Sequence, residues 1–568
     1  MTIKRALTID ATETSIKVHF EPTDTIFDVY RKMNAKIDEI KASEENNMYY
    51  SLSNGYSRDV AFFGTATYSY KGRYLATATF RADGSSNFAP ENHWGYFPAA
   101  ALGWRISDES WLEDTEDWLD NLKLRLSVGT SGADNIDPSL WKETWKASTA
   151  TVDGKTVTTY VPGDMLGNRN LKWETTTSRN IGLDFAFINS RIRGSIEAYN
   201  NSTDDILMKV PTAQSSGYSY QMQNVAKTSN KGFEINLAYD IIRRDDWNLG
   251  VNLTYNYNKN NIDKIKTDVD ASAHTGWGSS MRIPNYDYIV EEGRPVGVIQ
   301  GFKADGYYTL DDFDYDGTTG TYKLKEGVPD QQLVNYSSGV SSLAASGQNA
   351  FPGAVKFKDL NNDNVVDEND VTVIAETKAK HTGGFNIFGN WKSVDFSLGF
   401  TYQIGGKVYN ANAMYCMMGN KDNSLMQNRL DFVADTYKYY KVNASGDLEL
   451  QRTPDELAAL NKGIKYGSAF YEYGVTSSEF IEDASYLRLN TLTIGYTIPA
   501  KVSRKVGISN ARIYFTGGNL FCLSGYSGLD PDVSTNEDAG GDGFPTPNYD
   551  YNSYPKARTF TFGANITF

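Results

Sequence analysis

Residues 232–258, GFEINLAYDIIRRDDWNLGVNLTYNYN, alternate with period two along two strand-length stretches separated by a short charged turn. Phe233, Ile235, Leu237, Tyr239 and Ile241 interleave with Glu234, Asn236, Ala238 and Asp240. After the turn, Leu249, Val251, Leu253, Tyr255 and Tyr257 interleave with Gly250, Asn252, Thr254, Asn256 and Asn258. Successive side chains of a strand point to opposite faces, so each stretch reads as a ribbon with one apolar and one polar surface. Together they predict an antiparallel hairpin.

The same grammar recurs in Phe396–Ile404, in Ile181–Phe187 followed by the tight Asn189-Ser190 turn and Ile192–Ala198, and in Tyr74–Ala82. It predicts about fourteen strands: one near the N-terminus, then roughly 59–70, 73–83, 95–106, 121–130, 177–188, 191–201, 231–242, 247–258, 382–391, 394–404, 486–498, 510–518 and 558–568. The connections alternate in length. Those at 71–72, 189–190, 243–246 and 392–393 are short; those at about 131–176, 202–230, 259–381, 405–485 and 519–557 are long. A row of soluble β-sandwiches could also alternate apolar and polar residues, but gives no reason for all long loops to fall at one end. An antiparallel transmembrane β-barrel does, with short periplasmic turns and long extracellular loops. The chain also ends on an amphipathic strand, ARTFTFGANITF, with Phe560, Phe562, Ala564, Ile566 and Phe568 on one face.

Composition agrees. The chain has 568 residues, 13% of them aromatic, and a net charge of −15 that argues against nucleic acid as partner. Mean hydropathy is −0.48, and no apolar run is long enough for a transmembrane helix, which leaves strands free to cross a bilayer. Cys416 and Cys522 sit in segments that read as loops and match no metal motif. The opening MTIKRALTID has no apolar core of a signal peptide.

Several blocks resemble the SusC/RagA-type TonB-dependent transporters of Bacteroidetes outer membranes. They are FRADGSSNFAPENHWGYFPAAALGWRISDE (80–109), LKLRLSVGTSG (122–132), LKWETTTSRNIGLDF (171–185), NKGFEINL (230–237), YLRLNTLTIGYTIP (486–499) and GGNLF…YSGLDPD (517–532). The resemblance implies a 22-stranded barrel, closed by a plug, of which this chain is the C-terminal portion. Residues 1–58 would hold a first strand and a helical extracellular segment, and 59–568 the barrel; signal peptide, TonB box and plug are missing against the family pattern. Within 22–46, Phe27, Tyr30, Met33, Ile37 and Ile40 predict an amphipathic helix, and 113–121 a short acidic helical segment on the opposite side.

DLNNDNVVDEND (359–370) places Asp359, Asn361, Asp363, Val365 through its carbonyl, Asp367 and Asp370 at the oxygen positions of a calcium loop. Asn364 replaces the usual glycine and Asp370 the usual glutamate, and no helices flank it, so a sensor is disfavoured. Two readings stay open: a structural Ca2+ staple on an extracellular loop, and a solvated Asp/Asn turn. Enzyme motifs are missing, and the four histidines His19, His93, His274 and His381 lie in unrelated segments, with His93 read as part of a packed loop. Trp141, Trp145, Trp277, Tyr286, Tyr288, Tyr307 and Tyr308 are the candidate ligand contacts, since amphipathic rings stack on sugars and peptide side chains. Each could equally pack its own loop.

By resemblance, the expected activity is TonB-dependent import of glycan oligosaccharides with a SusD-like surface lipoprotein, TonB acting through the missing N-terminal part. A RagA-like peptide importer is the alternative, and a passive porin or soluble β-domain adhesin are the rivals from other classes. A barrel in the outer membrane would also face membrane lipid and lipopolysaccharide.

Overall fold

The computed structural model describes residues 6–9, 50–53, 57–138, 140–143, 145–152, 155–265, 272–273, 282–283, 287–336, 338–417, 430–469, 474–534, 546–551 and 553–568. The helix expected within 22–46 lies outside them.

Thirteen strands follow one another in a single antiparallel sheet whose spatial order is the chain order. We number them β1 (Asp59–Tyr70), β2 (Tyr74–Ser85), β3 (Trp94–Arg105), β4 (Leu119–Ala133), β5 (Glu174–Phe187), β6 (Ile192–Pro211), β7 (Tyr220–Arg243), β8 (Trp247–Ile265), β9 (His381–Trp391), β10 (Val394–Ile404), β11 (Tyr486–Thr497), β12 (Asn510–Ser524) and β13 (Thr559–Thr567). Each strand returns beside its predecessor, across the short turns and the long connections alike. At Lys71-Gly72, φ values of 52° and 70° close a two-residue turn whose handedness suits twisted hairpins.

Three expectations are corrected. The strand near the N-terminus exists at Ala6–Ile9, but pairs with Tyr50–Ser53 in a separate sheet. The sheet's fourteenth member is instead Met165–Leu166, parallel to the start of β7. The 202–230 loop is mostly strand: β6 and β7 run for 20 and 24 residues, leaving only 212–219 as the connection. Their outer halves, NSTDDILMKVP and YQMQNVAKTSN, have lost the strict apolar alternation because they rise beyond the apolar belt; sheet hydrogen bonds carry them on, and Val210, Val225 and Ala226 bury against the loop core. Finally, Cys522 lies in β12 and Cys416 in the helix Ala411–Met417, and neither forms a disulfide.

The acidic 113–121 segment falls on the short-turn side within the 3-10 turn Ser110–Thr115 and the start of β4. On the opposite side, segments from 287–380, 405–485 and 546–551 fold together around one hydrophobic core that includes Tyr288, Phe302, Tyr308, Phe351, Tyr409, Tyr439, Val475 and Tyr549. Backbone bonds tie these connections to one another: Phe302 N–H donates to Thr476 O and Ser478 N–H to Phe302 O, both at 2.9 Å.

Candidate functional site

Register converts the alternation of single strands into two continuous surfaces. Leu102, Leu126, Ile181, Ala198, Phe233, Tyr257 and His381 stand opposite one another across β3 to β9. One residue away, the row is Gly103, Arg125, Gly182, Glu197, Glu234, Asn256 and Thr382. The first row is apolar and the second polar, so a one-residue slip anywhere would exchange them.

The polar surface is cross-linked. Arg125 donates from Nε and Nη2 to both Asp184 oxygens at 2.8 and 2.9 Å, and also to Glu197, which Asn180 holds from its other side at 3.0 Å. Gly182 makes this possible, since a Cβ there would meet Arg125 Nη2 at 2.9 Å. Arg512 grips Asp395 in the same forked way between β12 and β10. Between these charges runs a ladder of uncharged groups. Tyr199 Oη donates toward Asn256 and Asn258 at 3.3 and 3.0 Å, and Asn258 and Asn260 both donate to Asn230 Oδ1. The outward surface carries aromatic residues toward both ends: Phe233, Tyr255, Tyr257 and His381 cluster near the loop end, while Trp118, Trp247 and Trp391 stand exposed at the turn end. Such girdles mark the two interfaces of a membrane barrel.

The candidate ligand contacts separate. Trp277 and Tyr286 lie outside the described residues. Tyr288 and Tyr308 do not face a ligand space: both are fully buried in the loop core, with hydroxyls donating to Pro547 O at 2.8 Å and Pro329 O at 2.6 Å. Burial holds both phenols above their usual range. An aromatic residue in a long loop reads the same in sequence whether it packs or binds. Tyr307 is partly buried against the Tyr437 ring. Trp145 is 62% exposed, and Trp141 lies under Lys142 and Arg169, at 4.5 and 5.7 Å from its ring centre. Arg169 also pairs with Glu91, which puts Trp141 beside the ENHWGYFP block.

In that block, Trp173 Nε1 donates to His93 O, and Phe88, Phe97 and Trp173 pack together over the inner wall. Phe97 occupies space that a Cβ at Gly132 would enter at 2.0 Å. Sequence inspection did not single out this cluster, although its glycines and aromatics are the signal. Nor did it pair Arg488 with Asp530. The guanidinium donates to both Asp530 oxygens at 2.9 and 2.5 Å, nearly excluded from water, and so anchors the GLDPD segment to β11.

The 359–370 loop is held by its own amides. Asp359 accepts from Asn362 and Asn364 N–H, Asp363 from Val365, Asn361 from Asp363, and Asp367 from Asn369. Buried Asp370 accepts from Leu360 and Asn361 with one oxygen and from Asp367 with the other. Asn362 and Asn364 adopt φ of 62° and 66°, which explains asparagine where glycine is usual. Val365 and Val366 pair with Asp330 and Gln331, fastening the loop to the layer. Among the described residues, no three His, Cys, Asp or Glu side chains converge as a metal-holding group.

Comparison with known proteins places this architecture. Residues 19–520 match the family described as TonB dependent receptor-like, beta-barrel. The TonB-dependent receptor SusC of Bacteroides thetaiotaomicron is 31% identical over 517 residues, covering 90% of this chain and 44% of that protein. The TonB-dependent receptor P3 of Formosa agariphila is 28% identical over 509 residues, with coverage of 90% and 45%. This chain therefore spans about half the length of the curated relatives it matches. A solved structure of the RagAB peptide transporter superposes with a TM-score of 0.68 at 21% identity, over 93% of this chain and 50% of that one, a likeness of fold. With its sequential antiparallel wall, its paired girdles and the match over residues 19–520, the chain belongs to the TonB-dependent receptor-like β-barrel family of the outer membrane.

Proposed function

We propose that this chain supplies the C-terminal wall and extracellular layer of an importer that takes glycan oligosaccharides across the outer membrane, together with a SusD-like lipoprotein and energised by TonB through an N-terminal plug. The supporting observation is the inner surface: an amide and hydroxyl ladder of Tyr199, Asn230, Asn256, Asn258 and Asn260, flanked by neutralised ion pairs, matches the dense hydroxyl donors and acceptors of sugars. Trp145 at the loop end offers an exposed ring face for stacking. The open edges also favour a larger assembly. Among the described residues β1 and β13 each have a sheet partner on one side only, and in lipid every strand N–H and C=O needs one, so further strands are expected to complete the wall. The test is calorimetric titration of the full-length transporter and its lipoprotein with oligosaccharides and with peptides. Heat only with peptides would replace the glycan reading by the peptide one.

The staple role of 359–370 rests on its hydrogen bonds, and calcium is proposed as an added support on the oxygens of Asp359, Asn361, Asp363, Val365, Asp367 and Asp370. Asp359→Ala should speed proteolysis at this loop and leave the wall intact. Equal cleavage rates with calcium and with chelator would remove the cation from the proposal.

A further inference from the structure

On the outward face the apolar rows end abruptly toward the loop side. Two residues beyond Ile181, Ala198, Phe233 and Tyr257, register sets Arg179, Asn200, Lys231 and Lys259 directly opposite one another on β5, β6, β7 and β8. Parity keeps them on the same face as that apolar row, and strand spacing places the three cations within roughly 15 Å. All three are exposed. Among the described residues no ion pair engages them, whereas Arg81, Arg125, Arg193, Lys227 and Arg512 of the same wall each hold a carboxylate. Like charges directly opposite, as Lys231 and Lys259 are, destabilise a sheet unless an anion lies between them.

Beneath Arg179 a shallow groove with room for about 510 Å³ opens among Ala100, Leu102, Leu126, Val128, Ile181 and Ala198, with Arg179 and Asn200 on its rim. The adjacent ring cluster has Phe233 5.6 Å from Tyr257 and Tyr257 5.2 Å from His381, which marks the level of the membrane interface. Cations above a groove at that level match a lipid with phosphate above and acyl chain below.

We infer that this face binds a phosphate-bearing, multi-acyl lipid of the outer leaflet, its phosphate bridging Arg179, Lys231 and Lys259 and one acyl chain lying over Ala100 and Ala198. The guanidinium suits forked contact with phosphate, and the ammonium groups act as point charges. The site rests on the family assignment, which makes this face the lipid-facing one.

The test titrates the full chain in detergent micelles with a fluorescent bis-phosphorylated lipid A, using phosphatidylethanolamine and inorganic phosphate as competitors. Each cation near a membrane surface contributes a factor of about five, so the combined Arg179→Gln, Lys231→Gln, Lys259→Gln variant should bind roughly a hundredfold more weakly. Arg179→Lys keeps the charge but loses the forked contact and should bind less tightly than the parent yet far more tightly than the charge-free variant, which separates charge loss from misfolding. Ala198→Phe fills the groove and should weaken the lipid without changing affinity for phosphate. Unchanged binding by the charge-free variant overturns the site, as does phosphatidylethanolamine competing as well as lipid A. Complete displacement by millimolar phosphate would reduce it to an anion patch and overturn the acyl contact. Failure of the barrel assignment would look different: a monodisperse, folded chain without detergent.

Discussion

Phe562 in the wall is 80% exposed and Phe62 63%, whereas Phe351 and Tyr439 in the loop layer are completely buried. Both regions are rich in aromatic residues, yet they use them in opposite directions. The wall turns its apolar side chains outward, where lipid takes the place of a core, and holds itself together by hydrogen-bonded ladders and polar inner pairs such as Arg125–Asp184. The loop layer faces water and folds inward like a soluble domain, so its stability comes from apolar burial. One chain therefore obeys two solvents, and the same substitution should have different consequences on the two sides.

The sharpest test is a matched pair. Phe351→Ala should open a cavity in the loop core and cost about 3–5 kcal/mol, while Phe562→Ala, which loses contact with detergent or lipid and with the Phe515 ring of the wall, should leave layer stability unchanged. Hydrogen exchange resolved by segment checks both. Equal loss of protection in the layer would erase the distinction between the regions. Where they join, Asp530→Ala strands the buried Arg488 guanidinium and should cost about 3–5 kcal/mol, releasing the 525–534 segment to protease. The double change Arg488→Met with Asp530→Leu should recover much of that loss, because no unpaired charge remains.

A reversed asymmetry is expected for charge. Leu183→Arg on the outward face, midway along β5 between Phe187 at the turn end and Arg179 at the loop end, should cost about 2–4 kcal/mol in a bilayer, and the same change little at a water-facing loop position such as Leu448. Bilayer insertion yield measures the first and thermal melting the second. The smallest effect is a pH dependence. Burial pushes the Glu479 carboxyl, next to Phe480 of the loop core, above its usual range. The folded layer thus binds that proton more tightly than the unfolded chain, which favours folding below the ordinary glutamate range and is lost as pH rises through the raised value. Glu479→Gln should accordingly slow exchange across 474–483 at neutral pH, with the difference closing on acidification.

Most of the wall was legible. The expected strands 59–70 and 394–404 coincide with β1 and β10, and 382–391 differs from β9 by one residue, because lipid on one side and a wet interior on the other enforce strict alternation. Legibility ended where that constraint ended. The outer halves of β6 and β7 read as loop, since beyond the apolar belt lipid no longer enforces strict alternation, and burial of Val210, Val225 and Ala226 is set by the loop core they meet in three dimensions. Among the proposed ligand contacts, Tyr288 and Tyr308 proved to be core residues and Trp145 exposed, a division that composition cannot make. The 359–370 spacing did identify a compact, self-bonded loop, and its attachment to Asp330 and Gln331 emerged only in three dimensions.

By itself, the sequence determined that strands form, which of their faces is apolar, and which end carries the long connections, because these follow from period-two alternation between neighbours in the chain. Tertiary structure alone decided which loop aromatics are buried, that Arg488 meets Asp530, and that Arg179, Lys231 and Lys259 form one row. Those relations join residues tens of positions apart, and strand register and loop packing, which bring them together, are properties of the assembled sheet and not of any local stretch.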